Sequence, residues 1–129
     1  MDDLHIPATD RTPEVAFAFS EARLRLSGES YPEDVGAFFA PVFRALEAYL
    51  AALGKGACRF DIELLYFNSS SAKAIMMLLE KLDAAAANGA TVAVHWRYDP
   101  EDDTMLELGE EFAEDLEHAS VTLEPLPAD

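Results

Sequence analysis

Three consecutive serines, Ser69 to Ser71, form the densest cluster of potentially reactive side chains in the sequence. They follow Asn68 at the end of an apolar segment, and Lys73 stands one helical turn further on. A hydroxyl or amide oxygen at the start of a helix can accept a hydrogen bond from a free backbone N–H. The same N–H groups and the helix dipole also stabilise a phosphate. The segment therefore predicts either a helix cap or a serine that binds an anion or becomes phosphorylated.

Enzymatic use of these serines has little support in the sequence. The chain contains no Gly-x-Ser-x-Gly elbow and no glycine-rich phosphate loop. Its histidines are scattered, and no pattern places one beside Ser69 for a catalytic relay: His5, His95 and His118. The Ser-x-x-Lys spacing from Ser70 to Lys73 lacks the other motifs of penicillin-recognising enzymes. We therefore predict no catalytic residue and no enzyme activity.

Acidic side chains suggest two further sites, and each has a simpler explanation. Asp61 and Glu63 lie on one face of a predicted strand and could form an acid–base pair, although surface exposure is commoner. The acidic residues from Asp99 to Asp103 could hold a hard cation, but they lack the glycine and glutamate of an EF-hand loop. A helix N-terminus explains them better. We predict no metal site and no cofactor, and we expect the lone Cys58 to be buried.

Length and charge limit the classes of protein that fit. At 129 residues the chain has room for one domain, which we place at residues 1–129. Its net charge of −16 disfavours binding to nucleic acid or to an anionic membrane, and it favours either a basic protein partner or simple solubility. The N-terminus is acidic where a secretory signal is basic, and the pattern suggests no membrane-spanning run. A cytoplasmic protein is predicted.

The first half of the chain predicts an irregular arm, a hairpin and a helix. Prolines break any regular pattern in residues 1–12. Apolar residues then alternate from Glu14 to Ser27, which predicts two antiparallel strands that turn at Glu21-Ala22. A capping box of Ser30 and Glu33 predicts the start of a helix that ends near Gly54. A proline inside this helix, Pro41, predicts a kink or a late start.

The second half alternates strands with helices. The segment from Cys58 to Phe67 predicts a central strand, with Tyr66 on the same face as Cys58 and with Phe67 on the opposite face. A second helix is predicted from Ser70 to Asn88, a strand at Thr91–Trp96, a third helix after Asp103 and a short strand around Val121 and Leu123. The predicted fold class is α/β, with the order β-β-α-β-α-β-α-β. Its mixed sheet joins the antiparallel hairpin to parallel strands.

The segment from Tyr66 to Met76 closely resembles the SiaC family of bacterial regulatory phosphoproteins. Other segments look like motifs of the same family in the same order: Asp3–Pro7, Thr12-Pro13, Gly28–Glu33, His95–Asp99 and Glu110–Asp115. The resemblance therefore covers nearly the whole chain. It implies a STAS-like fold, similar to that of the anti-sigma-factor antagonists, and a non-enzymatic role in a partner-switching system.

The resemblance also implies a mechanism. In the family, a serine/threonine kinase phosphorylates the hydroxyl residue that follows the Asn of this motif, and a PP2C-type phosphatase restores it. The unphosphorylated form binds a diguanylate cyclase and promotes cyclic di-GMP synthesis, which controls biofilm formation and aggregation. The acceptor here is Ser69, a serine in place of threonine. The residues expected to bind partners are those of the corner: Asn68, Ser69, Ser70, Ser71 and Lys73.

Two alternatives keep the same corner but change its role. The first is an anti-sigma-factor antagonist, which differs only in its partner. The second is a protein that binds a small anionic molecule, or an enzyme that acts on one, with the helix N-terminus as its anion pocket.

Overall fold

The computed structural model describes residues 2–127, which form a six-stranded sheet and three α-helices. The strands are β1 (Leu4–Ile6), β2 (Glu14–Ala18), β3 (Arg23–Ser30), β4 (Ala57–Phe67), β5 (Thr91–Tyr98) and β6 (Ser120–Pro125). The helices are α1 (Val35–Leu53), α2 (Ser69–Ala87) and α3 (Asp103–Asp115). A 3-10 turn at Phe19–Glu21 joins β2 to β3.

The strands lie in the sheet in their order along the chain, from β1 to β6. Pairing is antiparallel from β1 through β3 and parallel from β3 through β6. The predicted α/β class is confirmed, with its antiparallel hairpin and its parallel final strands. Because β3 to β6 run in the same direction, the segments that leave them meet at one edge of the sheet, which we call the carboxyl edge.

The N-terminal segment differs from its prediction. Residues 1–12 were expected to be an irregular arm, but Leu4–Ile6 forms an edge strand in which Leu4 pairs with Phe17 and Ile6 with Val15. Leu4 and Ile6 also pack against the core. Three residues carry too little alternation to be recognised as a strand in the sequence. Met1 lies outside the described residues.

The core lies on one face of the sheet. Alternate strand residues are buried there with apolar residues of the helices, and the fully buried side chains include Phe17, Leu26, Phe60, Trp96, Phe39, Leu46, Ile75 and Leu79. The opposite face carries charged side chains. Glu63 lies between Arg25 at 3.4 Å and Arg97 at 3.1 Å, and Glu124 lies 3.0 Å from Arg97. This division between the faces follows from the period of two along each strand.

Helix α1 begins later than predicted. Asp34 caps it by accepting a hydrogen bond from the N–H of Ala37 at 3.0 Å, whereas Ser30 ends β3 and is buried. The predicted cap at Ser30 is therefore wrong, and Pro41 lies inside the helix. By length and composition alone α1 could cross a membrane, as many core helices of soluble proteins could. Here Phe39, Val42 and Leu46 of α1 are buried in the core.

Candidate functional site

The serine corner lies where β4 passes directly into α2. Asn68 is the cap of α2, and its side-chain oxygen accepts a hydrogen bond from the N–H of Ser71 at 2.9 Å. The N–H of Asn68 donates to the carbonyl of Ser30 at 3.1 Å, at the end of the neighbouring strand β3. Two strands and one helix therefore hold the corner at the carboxyl edge.

The three serines of the corner differ in accessibility. Ser69 and Ser70 are exposed in the first turn of α2, whereas Ser71 is fully buried. The hydroxyl of Ser30 donates to that of Ser71 at 2.9 Å. This burial removes Ser71 from the surface that a partner or a kinase could reach, contrary to the partner-binding role predicted for it. Asn68 is half-buried, and Lys73 is exposed one turn along the helix.

An irregularity at the end of β4 reverses the predicted orientation of two aromatic residues. Gly28 pairs with Leu64, but the next residue, Glu29, pairs with Tyr66, so Leu65 is an extra residue in β4. Such a bulge exchanges the faces of the residues that follow it. Tyr66 was predicted on the core face but is exposed. Phe67 was predicted on the opposite face, but it packs against the core and lies 6.3 Å from Trp96, centroid to centroid.

Two large apolar side chains are exposed at the bulge, beside the corner. Leu65 is 63% exposed and Tyr66 is 52% exposed. The ring of Tyr66 meets that of Tyr31 edge to face, at a centroid distance of 5.8 Å. Sequence reasoning missed this patch because a regular alternation through Tyr66 predicted burial. The break in alternation at Leu64-Leu65, two adjacent leucines, was the available signal.

The other candidate sites have structural explanations. Asp61 lies 2.8 Å from Arg59 and 3.6 Å from Arg23, and Glu63 is held by its own two arginines. The acidic loop starts α3, since Asp102 accepts the N–H of Met105 at 3.0 Å. Within residues 2–127, no three His, Cys, Asp or Glu side chains are grouped to hold a metal ion. Cys58 is buried as expected, and burial raises the pKa of its thiol.

Two surface depressions of the described residues lie away from the corner. One lies between α2 and the segment after α3, and another between α1 and α2. The first contains Asp83, whose carboxylate accepts the N–H groups of Glu117 at 3.3 Å and of His118 and Ala119 at 2.8 Å each. Burial alone would raise the pKa of the Asp83 carboxyl, but these hydrogen bonds lower it by a larger amount. The pKa of Asp83 therefore lies below its ordinary value. Neither depression is lined by the corner serines.

Comparison with known proteins identifies the family of the chain. A family model described as "SiaC family regulatory phosphoprotein" matches residues 6–126. The chain belongs to the SiaC family. Its sequence is 41% identical over 115 residues to an uncharacterized protein of Pseudomonas aeruginosa (strain UCBPP-PA14), covering 89% of this chain and 90% of the relative.

Solved structures of SiaC share the fold. The crystal structure of apo-SiaC from Pseudomonas aeruginosa matches with a TM-score of 0.89 and 38% identity, over 96% of this chain and 99% of that one. A second match is the crystal structure of the diguanylate cyclase SiaD in complex with its activator SiaC, from the same organism. Its TM-score is 0.90 with 37% identity, over 96% of this chain and 100% of that one.

Membership in the SiaC family makes this chain a regulatory phosphoprotein, and a phosphate requires an accessible acceptor such as a hydroxyl group. At the corner these belong to Ser69 and Ser70. As the first two residues of α2, their N–H groups have no partner within the helix. The SiaC-family corner therefore offers an exposed hydroxyl together with free donors for an anion.

Proposed function

We propose that this protein is a non-enzymatic activator of a diguanylate cyclase, controlled by phosphorylation of Ser69. The unphosphorylated form binds the cyclase and promotes cyclic di-GMP synthesis, and so controls biofilm formation and aggregation. The observation that carries the proposal is the likeness, over 96% of the chain, to a SiaC that was crystallised with the cyclase SiaD as its activator. The protein acts in the cytoplasm.

The acceptor is Ser69 because it combines exposure with the position directly after the capping Asn68. A serine/threonine kinase adds the phosphate, and a PP2C-type phosphatase removes it. Lys73, one turn along α2, supplies a positive charge on the exposed surface for the phosphate or for the kinase. Ser70 is also exposed, so it is the competing acceptor that an experiment must separate from Ser69.

A phosphate at Ser69 blocks docking through its charge and its hydration. It adds about −1.5 to −2 charges at neutral pH. Burying that charge against a partner without a cation to pair with it costs several kcal/mol. A loss of about 3 kcal/mol weakens binding more than a hundredfold. The switch therefore requires no rearrangement of the fold.

The experiment compares cyclase binding and cyclic di-GMP production for Ser69→Ala, Ser69→Asp and protein phosphorylated at Ser69. We expect Ser69→Ala to bind and activate like the unmodified protein. The phosphorylated protein should lose at least about a hundredfold in affinity, and Ser69→Asp should lose a smaller factor because it carries less charge. The matched control is Thr104→Asp, which adds a carboxylate at an exposed position in the first turn of α3.

Equal cyclase affinity for the phosphorylated and unphosphorylated proteins would overturn the proposal. If the kinase modifies Ser69→Ala as fast as the unaltered chain and the phosphate maps to Ser70, then the acceptor is Ser70 and not Ser69. Equal losses for Thr104→Asp and Ser69→Asp would mean that added charge acts nonspecifically.

A further inference from the structure

The most exposed large apolar side chains of residues 2–127 lie together beside Ser69. Leu65 at 63% and Tyr66 at 52% exceed the third, Met77 at 41%, which lies on the outer surface of α2. Tyr31 joins them through its edge-to-face contact with Tyr66. We call Tyr31, Leu65 and Tyr66 the bulge patch.

The exposure of the bulge patch is fixed by the register of β4 against β3. Leu65 lies on the open face by regular alternation from Glu63, and the extra residue in β4 turns Tyr66 outward beside it while it turns Phe67 inward against Trp96. Pairing resumes between Glu29 and Tyr66 and continues between Ser30 and Phe67, and the N–H of Asn68 donates to the carbonyl of Ser30. The same irregularity therefore sets both the patch and the position of Ser69. Polar residues at 65 and 66 would satisfy this backbone equally well and would avoid exposing apolar area to water.

The surroundings of the bulge patch are acidic. Carboxylates flank it at the carboxyl edge on the segments that leave β3 and β5, and Glu29 pairs directly with Tyr66 across the sheet. The exposed ones are Glu33, Asp34, Asp99, Glu101 and Asp103. Of the nearby cations, Lys73 is exposed one turn along α2, Arg11 is bonded to Glu33, and four other arginines are engaged with carboxylates on the open face of the sheet. An apolar centre with an acidic rim complements a partner surface that has an apolar centre and a basic rim.

We propose that the bulge patch is the apolar anchor through which the unphosphorylated protein holds the diguanylate cyclase, on a cyclase surface with an apolar centre and a basic rim. This inference rests on the proposed function and adds the docking surface to it. Ser69 follows Tyr66 by three residues, so their Cα atoms lie within about 11 Å of each other. A contact centred on the patch covers Ser69 as well, which explains how one phosphate controls docking.

Apolar and charged parts of the surface then control different rates. The acidic rim steers the encounter, so it acts on kon and its effect falls with salt. The bulge patch and the Ser69 phosphate act inside the formed contact, and both change koff. A phosphate that merely repelled the partner from a distance would instead lower kon.

The test measures kon and koff for cyclase binding by surface plasmon resonance with the full chain. The variants are Leu65→Ser and Tyr66→Ser, with Met77→Ser as the matched control because it removes an exposed apolar side chain about 12 Å along α2 from Ser69. Glu101→Lys probes the rim. We expect Leu65→Ser and Tyr66→Ser to raise koff at least about tenfold, Met77→Ser to change it less than about twofold, and Glu101→Lys to lower kon alone.

The outcomes separate this inference from the proposed function. If phosphorylation of Ser69 abolishes binding while Leu65→Ser and Tyr66→Ser bind normally, the switch stands and the bulge patch is not its docking surface. If Met77→Ser weakens binding as much as Leu65→Ser, the contact is not centred on the bulge. If light scattering shows that Leu65→Ser removes self-association and leaves cyclase affinity unchanged, the patch joins two copies of this chain. Because Leu65 is exposed, we expect Leu65→Ser to melt at the same temperature as the unaltered protein. An unchanged melting temperature excludes unfolding as the cause of weaker binding.

Discussion

Helices α2 and α3 begin at the same edge of the sheet with the same side-chain cap hydrogen bond but with different charge. Asn68 accepts the N–H of Ser71 at 2.9 Å, and Asp102 accepts that of Met105 at 3.0 Å. The cap of α3 is charged and Asp103 follows it, whereas the cap of α2 is neutral and its first turn contains no acidic residue. Carboxylates already compensate the dipole of α3, so only α2 still gains from an added anion.

The two helices anchor their first turns to the sheet in a similar way but expose different groups. The carbonyl of Met105 in α3 accepts the indole N–H of Trp96 at 3.0 Å, and Met105 is buried. The outer residues of the first turn of α2, Ser69 and Ser70, are exposed. Ser71, the third residue of α2, is buried and bonded to Ser30 of β3, so both first turns are anchored to the sheet. The difference lies in the exposed residues, since α3 begins with the carboxylate of Asp103 and α2 with two uncharged serines. A modification of Ser69 or Ser70 therefore does not disturb the packing of α2 against the sheet.

The largest expected effect tests the packing of α3. A Cβ added at Gly109 would lie 2.5 Å from Cδ1 and 2.6 Å from Nε1 of Trp96, and 3.0 Å from Leu123. Gly109→Ala should therefore displace α3 and lower the free energy of unfolding by about 2–3 kcal/mol, measured by urea denaturation. Gly36→Ala in α1 is the control, because its added Cβ comes no closer than 3.6 Å to Asp34. That variant should be neutral or more stable by up to about 1 kcal/mol, and equal losses for both would contradict close packing at Trp96.

The next effect separates the buried serine of α2 from its exposed neighbours. Ser71→Ala removes the acceptor of the buried Ser30 hydroxyl and should lower the free energy of unfolding by about 1–2 kcal/mol. Ser70→Ala, at an exposed position, should change it by less than about 0.5 kcal/mol. Chemical denaturation of the Ser30→Ala, Ser71→Ala and double variants measures the coupling. Strict additivity would mean that the two hydroxyls do not act as a pair.

A smaller effect depends on pH and concerns the link between α2 and the segment after α3. The pKa of Asp83 is lowered in the folded protein, so its carboxylate stabilises the fold above the ordinary carboxyl pKa. That contribution is lost as pH falls through the lowered folded pKa. Because Asp83 is partly exposed, we expect Asp83→Asn to cost about 1 kcal/mol at pH 7. The melting temperatures of the unaltered protein and of Asp83→Asn should begin to converge as the pH falls below about 4. A difference that stays constant with pH would mean that the loss comes from packing.

The smallest effect makes the start of α2 resemble that of α3. Asn68→Asp keeps the cap oxygen and adds a charge, so it should stabilise the unphosphorylated protein by about 0.3–1 kcal/mol. The same charge opposes a phosphate at Ser69, so phosphorylation should raise the melting temperature of Asn68→Asp less than that of the unaltered protein. Calorimetry of both phospho-forms measures this difference. An equal rise in the two proteins would mean that the helix dipole does not contribute to the phosphate's environment.

Local patterns in the sequence predicted most of the elements, because they depend on residues close together in the chain. Alternation predicted the hairpin, helical periodicity predicted α2 and α3, and the predicted start of α2 at Ser70 lies one residue from the observed start at Ser69. The errors came from longer-range effects. The edge strand Leu4–Ile6 exists only because β2 offers it a partner, and the cap of α1 moved to Asp34 because Ser30 ends a paired strand.

The sequence by itself determined the family, the mixed sheet and the serine corner, since these follow from motifs, hydrophobic periods and cap chemistry. Only the tertiary structure decided which serine is accessible, because the burial of Ser71 depends on the hydroxyl of Ser30, 41 residues away in the chain. It also decided that Tyr66 faces outward, beside Leu65. One extra residue in β4, fixed by its register with β3, exchanges the two faces of the strand, and alternation along a single strand does not encode that register.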